Sequence, residues 1–292
     1  MERVRYIGDI YRPPSEAYSL IIQATVGCSN NTCRFCRMYK AKQFYIRPVE
    51  DVLEDLRRAR ACCRHAERIF IADGDALIMP LQSWIKILDY IKLHFPECTR
   101  VTSYATPRSV LLKSPEELAV LRGLGLEMVY IGLESGSDRV LKLMEKGNTA
   151  ADIIEASRKL HDANIKISVT AINGLGGLDL LHEHAEMTGK VLSQIKPHYI
   201  GLLTLMIEPP APVCQMVDSG ELKLLTPEEI LGETRLILQN CDVAGAVFRS
   251  NHASNYLPLA GTLNRDKEKL IAMIDSALAG KTNLRPEYFR AL

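Results

Sequence analysis

The sequence is short of net charge, of long apolar runs and of any cysteine to complete its one cysteine cluster. The formal charge is +1 over 292 residues, which weighs against a surface built to coat nucleic acid while leaving room for a local basic site. No run of 18 apolar residues occurs, so no membrane span is expected; the longest apolar stretch, HYIGLLTLMI (His198–Ile207), has strand length. The opening MERVRYIGDIYRPP lacks the apolar core of a secretory signal. Eight cysteines are too few to form a disulfide scaffold in a chain of this length. A cytoplasmic location follows as the expectation.

An apolar fraction of 47% is enough to bury a sizeable core, and the length suits one large α/β domain or two smaller ones. Strand-like and helix-like stretches alternate. Strands are read in Ser19–Gly27, Arg68–Asp75, Thr99–Pro107, Leu126–Ser135, Ile165–Gly177 and His198–Ile207. Helix-length segments separate them, one opening at Ser114 with Glu117 three residues on, the signature of a capping box. Apolar strands joined by helical crossovers make a parallel sheet buried on both faces. The expected fold is therefore α/β: a partial (β/α)6 TIM-like barrel with a C-terminal extension. Residues 1–18 form an N-terminal segment, 19–208 the barrel core, and 209–292 an extension that covers the barrel and includes a possible substrate region. Helices are read over Thr226–Asn240 and Lys267–Leu278 within that extension.

In such folds chemistry gathers at the C-terminal ends of the strands. Each of the six strands here ends in polar or glycine residues: the cysteine loop, Asp73–Asp75, Ser103 with Thr106, Glu134 with Ser135, Asn173 with GLGG, and Glu208 with Pro209. The cysteine loop, GCSNNTCRFCRMYK, carries Cys28, Cys33 and Cys36, and the next cysteine is Cys62. A structural zinc site would need a fourth ligand from afar, and no second CxxC exists. The C-x4-C-x2-C spacing also matches a plant-type [2Fe–2S] site, with Cys62 or Cys63 as the missing ligand. A [4Fe–4S] cluster held by three cysteines would leave one iron open, as catalytic metal sites do.

The loop after the first strand, with Phe35 just before the last cysteine, resembles that of the radical S-adenosylmethionine (SAM) superfamily. The usual spacing there is C-x3-C-x2-C, so this loop carries one extra residue. Three further segments add to the resemblance. IADGDAL is similar to the Gly-Gly-Glu-like segment that contacts the methionine amino group. IGLESGSDRVLKLMEKGNT resembles the fourth-strand segment of the branch with methylthiotransferases and anaerobic porphyrin-ring cyclases. ISVTAINGLGG is similar to the glycine segment beside the adenine.

The resemblance implies a [4Fe–4S] cluster on Cys28, Cys33 and Cys36, with SAM on the open iron. Reductive cleavage would give a 5′-deoxyadenosyl radical that abstracts hydrogen from an unidentified substrate. It implies Phe35 beside the adenine or cluster, Asp73, Gly74 and Asp75 near the ammonium, and Glu134 as a ribose or ammonium acceptor, with Ser103 in the same pocket. Lys146 would face the SAM carboxylate, and Asn173, Gly174 and Gly176 would shape the adenine pocket. The polar stretch FRSNHASNYLPLAGTL offers Arg249, Asn251, His252, Ser254, Asn255 and Tyr256 as substrate contacts or a lid. The implied partners are a small-molecule or macromolecular substrate and an electron donor such as flavodoxin or ferredoxin; a membrane is not expected and nucleic acid is unsupported. A non-catalytic iron–sulfur or zinc protein is the alternative. His182 and His184 lie on different faces of one helix and read as solvated.

Overall fold

The computed structural model describes residues 4–291. The chain gathers into two compact units: residues 1–31, 38–131 and 155–167 in one, and 32–37, 132–154 and 168–292 in the other. The first contains β1 (Leu20–Gln23), β2 (Arg68–Ala72), β3 (Arg100–Ala105) and most of β4 (Leu126–Glu134). These pair in parallel in that order, with Ile22 opposite Ile71, Ile71 opposite Ser103 and Ser103 opposite Val129. Isoleucine is the commonest residue in them, with valine, phenylalanine and tyrosine also present, side chains that suit a pleated, packed surface. Helices α1 (Val49–Cys62), α2 (Leu81–His94), α3 (Pro107–Leu111) and α4 (Pro115–Gly123) supply the crossovers. The box at α4 forms as expected: Glu117 N–H donates to Ser114 Oγ at 3.2 Å, and Ser114 N–H to Glu117 Oε2 at 2.8 Å. A cluster of Ile21, Phe70, Ala72, Met128 and Tyr130 fills one face of this sheet, joined by Ile10 and Tyr104. Within the N-terminal segment one residue reaches this unit's interior. Glu16 is fully buried and accepts from Arg100 at 2.8 Å and from the Tyr130 hydroxyl.

The second unit contains α5 (Asp138–Leu143), and α6 (Ala150–Asp162) begins within it. It also contains β5 (Lys166–Asn173) from Ser168 onward, α7 (Leu181–Ile195) and β6 (Tyr199–Thr204). Beyond the expected sixth strand the sheet continues. After α8 (Val213–Asp218) and α9 (Pro227–Asn240), β7 (Val247–Ser250) pairs in parallel with β6, and β8 (Leu259–Thr262) returns antiparallel to β7. The two four-residue strands are too short to show a clear alternation in the sequence. β5 and β6 alternate between buried and half-buried residues along their lengths, unlike β2, which is buried from Ile69 onward. Half-buried Ser168, Thr170 and Gly201 explain the difference. Helix α10 (Lys267–Leu278) follows β8.

Candidate SAM and cluster site

The first unit carries Cys28 and the Asp73–Asp75 turn. The cysteine loop has turns but no regular element between Gly27 and Lys42. Cys28 is half-buried, and its Sγ lies 3.8 Å from the Gly74 carbonyl oxygen. That approach depends on glycine: a Cβ at position 74 would sit 2.7 Å from the Tyr39 ring and 2.8 Å from Cys28 Cβ. Both flanking carboxylates are buried and turned to the protein. Asp73 Oδ2 accepts from Lys42 Nζ at 2.7 Å, Gly27 N–H at 3.1 Å and Gln23 Nε2 at 3.3 Å. Asp75 accepts from Ser29 Oγ and from Thr106 through both its amide and its hydroxyl. Burial raises the pKa of each, with Lys42 opposing the effect at Asp73 and the Ser29 hydrogen bond opposing it at Asp75. These bonds pin the turn to the start of the cysteine loop. Only Asp73 Oδ1 is a buried carboxylate oxygen of this turn without a hydrogen-bond partner. Ser103 is buried, its hydroxyl donating to the Ile71 and Tyr104 carbonyls at 3.1 and 2.9 Å.

Cys62 and Cys63 lie elsewhere in this unit. They end α1, and Cys63 lines a surface cavity of about 490 Å³ with Tyr18, Ser19, Leu20, His65, Ala66 and Glu67. That cavity is at the start of β1, whereas Cys28 follows its end, so neither cysteine is recruited to the loop.

The second unit carries the rest of the expected set. Cys33 is buried and Cys36 half-buried. Phe35 packs on an apolar cluster that includes Val140, Met144, Leu175 and Val213. The Arg34 amide donates to the Met144 carbonyl at 2.9 Å, which ties this part of the loop to the end of α5. Glu134 ends β4 with φ of 61°. A non-glycine residue pays about 1–2 kcal/mol for this left-handed backbone, and such outliers point to function rather than to folding. Its Oε1 accepts from Lys146 Nζ at 2.9 Å, both groups being nearly buried, and its Oε2 is buried without a hydrogen-bond partner. Lys146 Nζ lies 5.8 Å from the Phe35 ring centre. At the end of β5, Asn173 donates to Thr234 Oγ1 at 2.8 Å, and Gly174 turns with φ of 79°. Gly174 N–H donates to Glu233 Oε2 at 2.6 Å, and Gly176 is buried. The unit thus brings Phe35, Glu134 and Lys146 together and places Asn173, Gly174 and Gly176 on one turn.

Of the six residues in the polar stretch, four are buried or half-buried and held by protein. Ser254 Oγ accepts from the Thr204 amide, Asn255 bonds Thr204 Oγ1 and the Leu202 carbonyl, and His252 Nδ1 is 3.0 Å from Ser254 Oγ. The Tyr256 hydroxyl donates to Glu287 and receives from Arg290, and burial pushes its pKa up to about 12. Arg249 and Asn251 are exposed, with Arg249 donating to the Phe248 carbonyl.

One expectation is corrected. His184 is fully buried rather than solvated, with Nδ1 2.8 Å from Ser135 Oγ and Nε2 4.0 Å from Glu233. Its helix presents the face bearing Leu181, Ala185 and Thr188 to the interior, and the short HEHAE motif did not reveal which histidine shared that face. Glu233 was missed as well: its neighbours in TPEEILGETRLILQN read as an ordinary amphipathic helix.

The donor chemistry fits a cluster with an open iron. All eight cysteines are thiols rather than disulfides, and soft thiolates suit iron–sulfur clusters. Among the described residues no three His, Cys, Asp or Glu side chains are gathered as a metal site. Glu134 Oε2 and Asp73 Oδ1 are buried acceptors of the kind that an ammonium or hydroxyl group of SAM requires.

Comparison with known families decides the assignment. The model of the radical SAM superfamily matches residues 22–188, more than half of the chain. The chain belongs to the radical SAM superfamily. It is a radical SAM enzyme, of a superfamily that uses a [4Fe–4S] cluster and SAM. A protein of Methanocaldococcus jannaschii whose name carries a methylthiotransferase assignment is 27% identical over 165 residues, 55% of this chain and 36% of that protein. The chain thus spans about a third of that relative's length. The radical SAM methyltransferase TsrM of Kitasatospora setae, solved with tryptophan and a SAM analogue bound, matches with a TM-score of 0.57 at 18% identity. That match covers 70% of this chain and 39% of TsrM. Coproporphyrinogen III oxidase (HemN) of Escherichia coli, a radical SAM enzyme, matches with a TM-score of 0.56 at 16% identity, covering 76% and 52%. At these identities the likeness shows the fold alone, the α/β class of parallel strands joined by helices. Among the described residues no helix is long and apolar enough to cross a membrane.

Proposed function

We propose that this radical SAM enzyme abstracts a hydrogen atom from a substrate still to be identified, with Cys28, Cys33 and Cys36 as the cluster ligands. When bound, the cluster and SAM together supply one-electron reductive cleavage to a 5′-deoxyadenosyl radical; the protein's part is binding, orientation and exclusion of water. The observation that carries the reading is the three-thiol loop at the end of β1 in a chain of this superfamily, with no cysteine recruited from α1. Glu134 would offer its unpartnered Oε2 to a ribose hydroxyl or the ammonium. Lys146, held by the other oxygen of the same carboxylate, would face the SAM carboxylate. Asp73 Oδ2 and the Asp75 carboxylate are engaged by Lys42, Gln23, Ser29 and Thr106, so Asp73 Oδ1 and the backbone carbonyls of that turn are the groups left for the ammonium. Phe35 and the apolar cluster beneath it would keep water from this side of the site. The electron would come from a flavodoxin- or ferredoxin-type donor.

Anaerobic reconstitution should yield about four irons per chain and a cluster spectrum that changes on adding SAM. Dithionite should then release 5′-deoxyadenosine. Zinc alone, or two irons with no response to SAM, would overturn the reading. Serine at position 28, 33 or 36 should remove most of the iron, whereas Cys62→Ser and Cys63→Ser should leave it unchanged.

A further inference from the structure

Three buried polar residues of the second unit form a line that the assigned chemistry does not use. Ser135 directly follows Glu134, and its hydroxyl lies 2.8 Å from His184 Nδ1 while accepting from the Ser137 amide at 3.0 Å. His184 Nε2 lies 4.0 Å from Glu233 Oε2, which accepts from the Gly174 amide at 2.6 Å. Ser135, His184 and Glu233 are each 0% exposed. The line therefore runs from the turn after β4 to the turn after β5, through one residue of α7 and one of α9.

The packing of those helices is built for it. Gly189, about a turn and a half along α7 from His184, faces α9: a Cβ there would lie 2.6 Å from the Ile237 carbonyl oxygen. Only glycine allows this approach, and it brings Glu233, one turn before Ile237, beside His184. Burying an imidazole and a carboxyl this deeply is costly unless their polar atoms are partnered. His184 Nε2 and Glu233 Oε1 are both buried without a hydrogen-bond partner, so the two groups are not arranged for stability alone. Apolar residues of similar volume would fill the same space at less cost. The two turns that the line joins are the ones bearing Glu134 and Gly174. Both have positive φ, at 61° and 79°, and a backbone so placed needs surrounding structure to hold it.

We propose that His184 and Glu233 are positioning residues, a buried strut that fixes the turns after β4 and β5 in the geometry that receives SAM. The inference rests on the proposed placing of SAM at Glu134 and Gly174. Glu233 holds the Gly174 amide; His184 holds Ser135 and with it the backbone of Glu134. Neither touches SAM. Outer residues of this kind set the aim of those that do, and losing one ordinarily costs about 10- to 100-fold in affinity or activity at metal sites.

The test uses the full chain in two forms. Hydrogen exchange on the protein before reconstitution reads the turns themselves, in peptides covering 172–178 and 133–138. Equilibrium dialysis of labelled SAM against the anaerobically reconstituted protein reads affinity. Glu233→Ala should speed exchange in 172–178 about tenfold and weaken SAM about tenfold. Glu233→Gln, which keeps an acceptor for the Gly174 amide, should restore both to within about twofold. Ser135→Ala should loosen 133–138 and weaken SAM several-fold. A Glu233→Ala protein that melts earlier yet keeps wild-type exchange in 172–178 and wild-type SAM affinity overturns the proposal. If that variant does not fold, Ser135→Ala with unchanged affinity overturns it instead. Reconstituted wild type that binds no SAM would bring down the site reading on which the inference rests, whereas altered affinity confined to the variants bears on the strut alone.

Discussion

At the scale of single residues, the site places charge where burial makes it costly and uses few partners to hold it. Glu134 combines a left-handed backbone, one ion-paired oxygen and one unpartnered oxygen. Glu134→Gln should weaken SAM binding about tenfold or more, the loss of a charged hydrogen bond in a buried setting, while leaving four irons per chain by metal analysis. Glu233 and His184 give a pH signature. Burial pushes the Glu233 pKa up to about 8 and the His184 pKa down to about 4. The folded protein therefore retains a proton on Glu233 that the unfolded chain has released. That stabilisation is complete below the unfolded value of about 4.5 and is lost as pH rises through about 8. His184 acts in the opposite direction: its neutral form stabilises above about 6.5, and the effect is lost as pH falls through about 4. Urea unfolding should show wild type losing stability relative to Glu233→Gln between pH 6 and 8, with a slope of at most about 1.4 kcal/mol per pH unit. A constant difference over that range would contradict the buried placement of Glu233.

At the scale of elements, local sequence signals held wherever a short pattern controls the backbone. The Ser114–Glu117 box starts α4 with both reciprocal hydrogen bonds in place, so Ser114→Ala should cost about 1 kcal/mol in thermal unfolding. Thr226 and Glu229 repeat the device at α9, the helix that carries Glu233. The β7–β8 hairpin was not legible in the same way. Its strands are four residues each, and the connection from Asn251 to Pro258 is dense in polar groups. These read as ligands in the sequence, yet Ser254 and Asn255 bond the end of β6. The end of β6 runs past its pairing with β7, which stops at Gly201; backbone left unpaired there demands such partners, and a sequence does not show which backbone will need them.

At the largest scale, Arg285 and Arg290 bind the backbone after β6 and β7 within the second unit. Arg285 Nη1 donates to the His252, Ala253 and Asn255 carbonyls at 3.0, 2.7 and 3.0 Å. Arg290 donates to the Ser254 and Leu205 carbonyls at 2.7 and 2.9 Å and lies over the Tyr256 ring. Deleting residues 285–292 would strip these carbonyls of charged donors, each worth about 1–3 kcal/mol. The truncated protein should melt at least about 5 °C lower, with faster hydrogen exchange across 251–257. An unchanged melting temperature would mean that this tail is dispensable to the fold.

The sequence by itself determined the alternation of strands and helices, the parallel sheet and the chemistry of the cysteine loop. Those properties follow from side-chain periodicity and from donor types at fixed spacing, both local along the chain. Tertiary structure alone decided that the Asp73 and Asp75 carboxylates turn inward to Lys42, Gln23, Ser29 and Thr106, that His184 is buried, and that Glu233 reaches the Gly174 amide. Each of these joins residues 31 or more positions apart. Their pairing depends on which helix face meets which strand end, as at Gly189, and that is set by packing rather than by any local pattern.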